Sequence, residues 1–475
     1  MSTFSHRIYS VRAGWLEKNP LIGRLSIPIL RDSRSGTSQK SSDFRQPSLS
    51  SGSAGSMLPA FQYDADWLDH GFPIGADLQF DRSIQTPPPG KRVFGFMADR
   101  ALSSRVMSIV VNDEPRDLRL KADAGPDETA ALLFPHPDAA FGGLVIEEEE
   151  QSGRKTPKSG GSAVLAAKEK AERLKLRSPI RRTAELYETI YAYHAAERGK
   201  VGPSDLTYLR RALTLPGRSP VLSVLRDNEM QTARLSSLND PIDRPLWLYI
   251  ALEMARECGI PVVPSAIEHE MGDSILFQKR VDRAPEADNP EGPRVKKLPV
   301  FSAATLVSTH RPGSARPVPF SYLAMADILN REGAAPAKDL PLMWRRIVYR
   351  LMTGGAAADT PRTWLFVREP LGWRLLPAHT LEWISPAFMG ALTGRDGVLP
   401  VFNRVGKGLT MDGRQTLTHP DDALRFAPYF GLSQSHAKMI MMDMMKILSD
   451  WENRVYDWQA NPNDITTMAP IFDNL

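Results

Sequence analysis

Residues 344–383, WRRIVYRLMTGGAAADTPRTWLFVREPLGWRLLPAHTLEW, carry more of the fold than any other stretch of the chain. Leu340, Trp344, Ile347, Val348 and Leu351 recur at steps of three and four, which lines them up on one face of a helix, and Gly354-Gly355 stop it. Trp364 to Val367 and Trp373 to Leu376 are short runs rich in aromatic and branched residues. They are joined through Pro370 and Gly372, a hairpin pattern. The order is helix, glycine stop, loop, hairpin, second loop.

The flanks of this stretch resemble the HipA family of toxin kinases. Its members carry an Arg-Arg-Ile-Val-Phe helix, a loop Asn-Thr-Asp-Asp-His-Leu-Arg-Asn, a hairpin, and then Trp-Arg-Leu-Ser-Pro-Ala-Tyr-Asp-Leu. In kinases the loop aspartate accepts the substrate hydroxyl proton, and an asparagine five residues on helps hold magnesium. An aspartate of the following loop holds the metal against the phosphates. An ungapped alignment from Arg345-Arg346 puts Ala357 at the base, Arg362 at the asparagine and Thr380 at the second-loop aspartate. A methyl group takes no proton, and a guanidinium repels the dication. Asp359 serves as a base only if the loop gains two residues before it and loses two after it.

Toward the N-terminus the resemblance continues. Lys279-Arg280-Val281-Asp282-Arg283 is similar to the family's Lys-Arg-Phe-Asp-Arg, and Phe301 to Leu306 to its Ser-Ala-Met-Thr-Leu segment. Residues 206–300 read as the smaller, sheet-bearing lobe. VLSVLRD and MQTARLS flank an Asp227-Asn228 turn, and Asp243 and Pro245 open a helix that Gly259 ends. Two further strands run around 261–267 and 274–279. The resemblance implies a nucleotide here, held by a Gly-Gly-Ala-Arg-Pro-Lys-Ala loop and a strand lysine. The chain has Pro216-Gly217-Arg218-Ser219-Pro220-Val221-Leu222, matching only at Gly217 and Pro220, and has Arg234 for the lysine. Arginine keeps the charge but is longer and forked.

Upstream, Phe61, Tyr63, Asp64, Trp67, Leu68, Phe94, Gly95 and Asp99 fit the family's N-terminal pattern, while its Pro-Asp-x-Trp-Gly-Arg piece is replaced by Ala101 to Arg105. Short apolar pieces before residue 31 suit strands, and the polar run 31–56 suits a flexible loop. An acidic run at 147–150 and a Gly/Ser/Lys segment mark a boundary, followed by two helical patterns. The expected organisation is a HipA-like N-terminal domain over 1–150, a helical connector over 151–205, the small lobe over 206–300 and a helical lobe over 301–475. In the last, Ser321 caps a helix stopped by Gly333, and 420–432 and 433–461 each read as one helix. Ile440, Met444, Ile447, Trp451, Val455 and Trp458 lie along one side of the last helix, with Met441, Met442 and Met445 broadening a core stripe rather than a partner groove.

Length and composition set bounds on this reading. At 475 residues the chain has room for two or three domains. The 59 basic against 55 acidic residues leave a formal charge of +4, too small an excess at this length to imply direct nucleic-acid binding. A single cysteine, Cys258, excludes an internal disulfide framework and reads as a packed thiol. The nine histidines show no metal-ligand spacing. No apolar run reaches about 18 residues and no signal-peptide pattern opens the chain, so the expectation is a cytoplasmic location with no membrane contact.

The resemblance therefore implies an α+β, two-lobed, protein-kinase-like fold with a small N-terminal β-containing domain and a mostly helical C-terminal lobe. The missing base, metal ligands and phosphate loop imply a pseudokinase that binds ATP or a protein partner such as an antitoxin or a related kinase. Gly217, Arg234 and Arg362 are its nucleotide-binding candidates, without magnesium. The alternatives are an active serine/threonine kinase toxin using Asp359, and a non-catalytic interaction subunit of such a system.

Overall fold

The computed structural model describes residues 4–30, 58–100, 140–149, 179–212, 215, 221–270, 272–285, 295–307, 320–385, 409–414, 417 and 419–472. Contacts divide the chain into two compact units, Met1–Leu225 and Arg226–Leu475. The polar run 31–56, the helical pattern before residue 179 and the loop around Gly217 lie outside the described residues.

In the first unit, β1 (Phe4–Ala13) and β2 (Leu21–Leu30) form a long antiparallel pair. With β3 (Ala60–Tyr63) and β4 (Leu144–Glu148) they make a four-stranded sheet of order β3-β2-β1-β4. The alternation that buries Tyr9, Val11 and Ala13 on one strand, and Leu25 and Ile27 on the next, turns one face to a core. That core is aromatic. Phe61 makes edge-on contacts with Tyr63, Phe94 and Phe96, and Trp67 meets Trp15 and Phe72. Asp64 caps the helix Ala65–His70 by accepting from the amide of Asp66. The same unit holds two helices, Thr183–Glu197 and Pro203–Ala212, and the strand β5 (Val221–Arg226) at its end.

The second unit opens with the Asp227-Asn228 turn, both residues at positive φ as a tight hairpin turn requires. Strand β6 (Glu229–Leu235) pairs with β8 (Asp273–Lys279), and β8 with β7 (Ser265–Glu270), all antiparallel. The helix Arg244–Glu257 starts at Asp243, whose carboxylate accepts from the Leu246 amide, and ends before Gly259 at φ 73°. Strands β9 (Arg283–Pro285) and β10 (Val295–Lys297) form a small pair. The expected hairpin is β12 (Leu365–Glu369) with β13 (Gly372–Leu375), and β11 (Val300–Ser302) adds to its edge.

The helix Pro336–Met352 is the spine of this unit. Leu340, Met343, Trp344, Ile347, Val348 and Tyr349 are all buried along it. Asp339 in its first turn takes Arg374 Nε at 2.7 Å, Arg374 Nη2 at 3.1 Å and the amide of Leu375, which ties the hairpin to the helix. Ser321 caps the helix Tyr322–Glu332 as expected.

Two expectations for the C-terminal end are corrected. Residues Pro420–Phe430 form a 3-10 run with Pro428 inside it, because a proline has no amide to sustain an α ladder. The span 433–461 is two helices, Gln434–Leu448 and Trp451–Asp457, broken at Ser449-Asp450. Within the first of them Met441 and Met444 are buried with Ile440 and Leu448, while Met442 points to another side of the helix and is 59% exposed. No helix among the described residues is long and apolar enough to cross a membrane.

Candidate functional site

Three pieces of the second unit converge: the loop 353–363 after the spine helix, the loop 376–385 after the hairpin, and the face of β6 and β8. In the first loop Gly354 sits at φ +68°, and a Cβ on it would lie 2.2 Å from the carbonyl oxygen of Ile384. One on Gly355 would lie 2.6 Å from that of Glu382. The glycine pair read as a helix stop is therefore also what lets the two loops touch.

Asp359 is 4% exposed and is fully engaged. Its Oδ1 accepts from the Thr360 amide at 3.0 Å and from Thr363 Oγ1 at 2.8 Å, with Arg350 Nη1 at 3.4 Å. Its Oδ2 accepts from Tyr322 Oη at 2.8 Å and Trp364 Nε1 at 2.9 Å. Burial, and then the adjacent carboxylate, push the Tyr322 hydroxyl well above its ordinary pKa, so it stays a donor. The carboxylate is the knot of the loop.

Two buried guanidinium groups flank this knot. Arg346 donates to the Thr363 carbonyl at 2.7 Å and lies 4.0 Å over the Trp364 ring. Burial first, then neighbouring Arg350, lower its pKa to about 9. Arg350 spans both loops, donating to the carbonyls of Gly355 at 3.4 Å and Thr380 at 2.9 Å.

The second loop is held along its whole length. Ala378 exchanges backbone bonds with Pro261 and Val263, Gln278 Nε2 donates to the His379 carbonyl at 3.2 Å, and Ile384 donates to Thr353. Arg244 Nη2 meets both oxygens of Glu382 at 2.7 and 2.8 Å. Trp383 Nε1 donates to Tyr349 Oη at 2.8 Å, which in turn donates to the Ala251 carbonyl at 2.6 Å.

On the sheet face, Arg234 Nε donates to Gln278 Oε1 at 2.9 Å. Desolvation brings the Arg234 pKa down to about 10, with Glu382 opposing and Arg244 adding to the effect. The His379 ring is half-buried and its Nδ1 has no partner among the described residues. Burial, and then Arg234, Arg346 and Arg350, hold the ring well below its ordinary pKa, against a smaller pull from Asp282. It is neutral at pH 7. Asp282 is itself consumed: Arg280 donates to its two oxygens at 2.9 and 2.6 Å and Arg283 to Oδ2 at 2.9 Å. This buried triad is what the Lys279–Arg283 motif builds.

The candidates from sequence fall as follows. Arg234 and Thr380 lie at the convergence, the latter through its carbonyl. Ala357 is in the 3-10 turn Gly355–Ala358, and Arg362 is exposed on the next turn, Pro361–Thr363. Gly217 lies outside the described residues. Sequence reasoning passed over Gln278, His379, Arg244 and Glu382. The signal for them was the position of Gln278 and His379 beside motifs already recognised.

These side chains do not suit the magnesium ion that kinase chemistry uses. Asp359 and Glu382 are taken by internal donors, Thr380 gives its carbonyl to Arg350, and Arg362 is a cation. Among the described residues there is no group of three or more His, Cys, Asp or Glu side chains placed to hold a metal.

Comparison with known proteins bears on this geometry. A structure from Shewanella oneidensis, HipA of a toxin-antitoxin system with HipB and its operator DNA, matches with a TM-score of 0.53 at 13% identity. The match covers 98% of this chain and 95% of that one. The Helicobacter pylori proinflammatory kinase CtkA matches with a TM-score of 0.32 at 12% identity, over 51% of this chain and 93% of that one. No curated relative matches the sequence. The expected α+β, HipA-like kinase fold is thus the observed one. Residues 247–451, which include the spine helix and both loops, match the family model of the HipA-like C-terminal domain. Over those residues the chain is similar to the HipA-like C-terminal domain family.

Proposed function

We propose that this chain is a non-catalytic member of its family that acts by binding. The observation that carries this reading is the state of Asp359. A general base needs a lone pair within reach of the proton it removes. Both oxygens of Asp359 already accept from buried donors, and Arg350 lies 3.4 Å from one of them. Phosphoryl transfer depends almost wholly on positioning and charge stabilisation, so a loop that offers neither a base nor free metal ligands is a poor catalyst.

The binding partner we favour is a protein, an antitoxin or a related kinase, by analogy with the Shewanella protein seen with HipB. A nucleotide held through Arg234 without magnesium is compatible with the same scaffold. The process takes place in the cytoplasm. The test is transfer of labelled phosphate from ATP with magnesium, to the chain itself and to a general protein substrate. No transfer above background is expected, from wild type or from Asp359→Ala. Transfer by the wild type that disappears in Asp359→Ala would reverse the reading and favour an active serine/threonine kinase toxin.

A further inference from the structure

The C-terminal stretch is held to the second unit by a small set of contacts. After the helix Trp451–Asp457 the chain turns at Gln459, which stands at φ 55°. A short helix follows, Pro462–Met468, capped by Asn461 Oδ1 on the Asn463 amide at 2.9 Å, and then the 3-10 turn Ala469–Ile471 and Phe472. A helix of 7 residues does not persist in water unaided, so contacts with the rest of the unit keep this one folded. Asp464, Ile465 and Met468 are its buried side chains, Pro462, Asn463 and Thr466 face solvent, and Phe472 is half-buried.

Two of these contacts have a definite chemistry. Asp464 Oδ2 accepts from the Asp243 amide at 2.8 Å and from Trp247 Nε1 at 3.3 Å. Phe472 lies nearly flat on Trp451, with ring centres 4.6 Å apart and 17° between the planes, and meets Trp383 edge-on at 4.9 Å. Trp247 and Trp383 are themselves 6.0 Å apart. The surface under the segment thus joins two N–H donors to an aromatic floor. That surface is fixed from elsewhere: Trp383 Nε1 donates to Tyr349 Oη, Asp243 Oδ1 accepts from the Leu246 amide, and the loop carrying Trp383 is tied to Pro261, Val263 and Gln278.

We propose that residues 462–472 are a detachable strap seated on a peptide-docking surface. A partner protein takes the surface over with a segment that carries a carboxylate and an aromatic ring at the spacing of Asp464 and Phe472. The inference rests on the reading that the chain acts by binding a protein, and it names the kind of segment bound. The strap occupies the surface until that segment arrives. Tethered next to its seat, it competes at an effective concentration on the order of millimolar, so a segment lacking either anchor is turned away.

Fluorescence anisotropy tests it, with a labelled peptide of residues 459–472 as the probe and the full chain as the receptor. The double variant Asp464→Ala/Phe472→Ala removes both anchors of the chain's own strap. It is expected to bind the peptide at least about tenfold more tightly than the wild type, whose strap competes. The same substitutions made singly in the peptide should each weaken that binding at least about tenfold. A double variant that does not bind the peptide, or that binds the substituted peptides as well as the original, overturns the proposal. Should the double variant not fold, hydrogen exchange on the wild type decides. The amides of Ile465 and Phe472, bonded to the carbonyls of Asn461 and Ala469, are expected to exchange at least about tenfold faster than those of the spine helix. Equal rates mean that the segment opens only with the whole unit, which also overturns the proposal. The phosphate-transfer assay runs in parallel: absent docking with absent transfer defeats the strap alone, whereas magnesium-dependent transfer defeats the non-catalytic reading.

Discussion

Asp359 shows what a single side chain carries in this fold. Replacing it by asparagine keeps the shape, but puts an NH2 group where a hydroxyl, an indole or a guanidinium now donates, and leaves Arg350 buried without its anion. The expected cost is about 3 kcal/mol, because breaking a buried pair strands the other charge, and a denaturant melt of the full chain measures it. His379 has a definite pH signature. Its folded pKa is depressed, so the folded state binds fewer protons than the unfolded chain below the ordinary histidine value. Its contribution to stability is present above about pH 6.5 and is lost as the pH falls below that. His379→Gln should flatten this part of the stability profile, read as melting temperature against pH. Little of this was legible in the sequence. Asp359 stood out as the one acid of its loop, but Tyr322 lies 37 residues away, and a hydroxyl's reach across that separation has no local pattern.

At the scale of elements, the Gly354-Gly355 pair couples the two loops, and its test is steric. Alanine at 354 would hold a positive φ unfavourable to an L side chain and press a methyl against the Ile384 carbonyl. Gly354→Ala is expected to cost about 2 kcal/mol or more. It should also speed hydrogen exchange at the Ile384 amide, which bonds to Thr353. The elements themselves were largely readable: periodicity gave the spine helix, Ser321 and Asp243 gave caps, and Asp227-Asn228 gave a turn. The failures share a cause. The break at Ser449-Asp450 has no glycine or proline to announce it, and the 3-10 run at Pro420–Phe430 shows helical spacing while its hydrogen bonds close one residue early.

For the whole molecule, each of the two units has its own core and its own vulnerable point. In the first, Phe61→Ala removes the ring at the centre of the aromatic cluster. It is expected to cost about 3 to 5 kcal/mol, seen as lost amide protection across β1 to β3. In the second, Asp282→Ala leaves Arg280 and Arg283 buried without their anion and should cost about 3 to 5 kcal/mol, read from the denaturant melt. The likeness to the HipA-like C-terminal domain was visible in the sequence because the motifs that persist, such as Lys279–Arg283 and the Trp373-Arg374-Leu375 strand, are the ones that hold the scaffold. Arg374 binds Asp339 and the Arg280–Asp282–Arg283 triad is buried, so both serve packing whatever the chemistry nearby.

The many clamps on the loop 376–385 carry a further consequence, for kinetics. A segment already bonded to Pro261, Val263, Gln278, Arg350, Arg244 and Thr353 has no ordering left to undergo when a ligand arrives. A partner that docks on this loop would then meet it already in place, with no lag for closure.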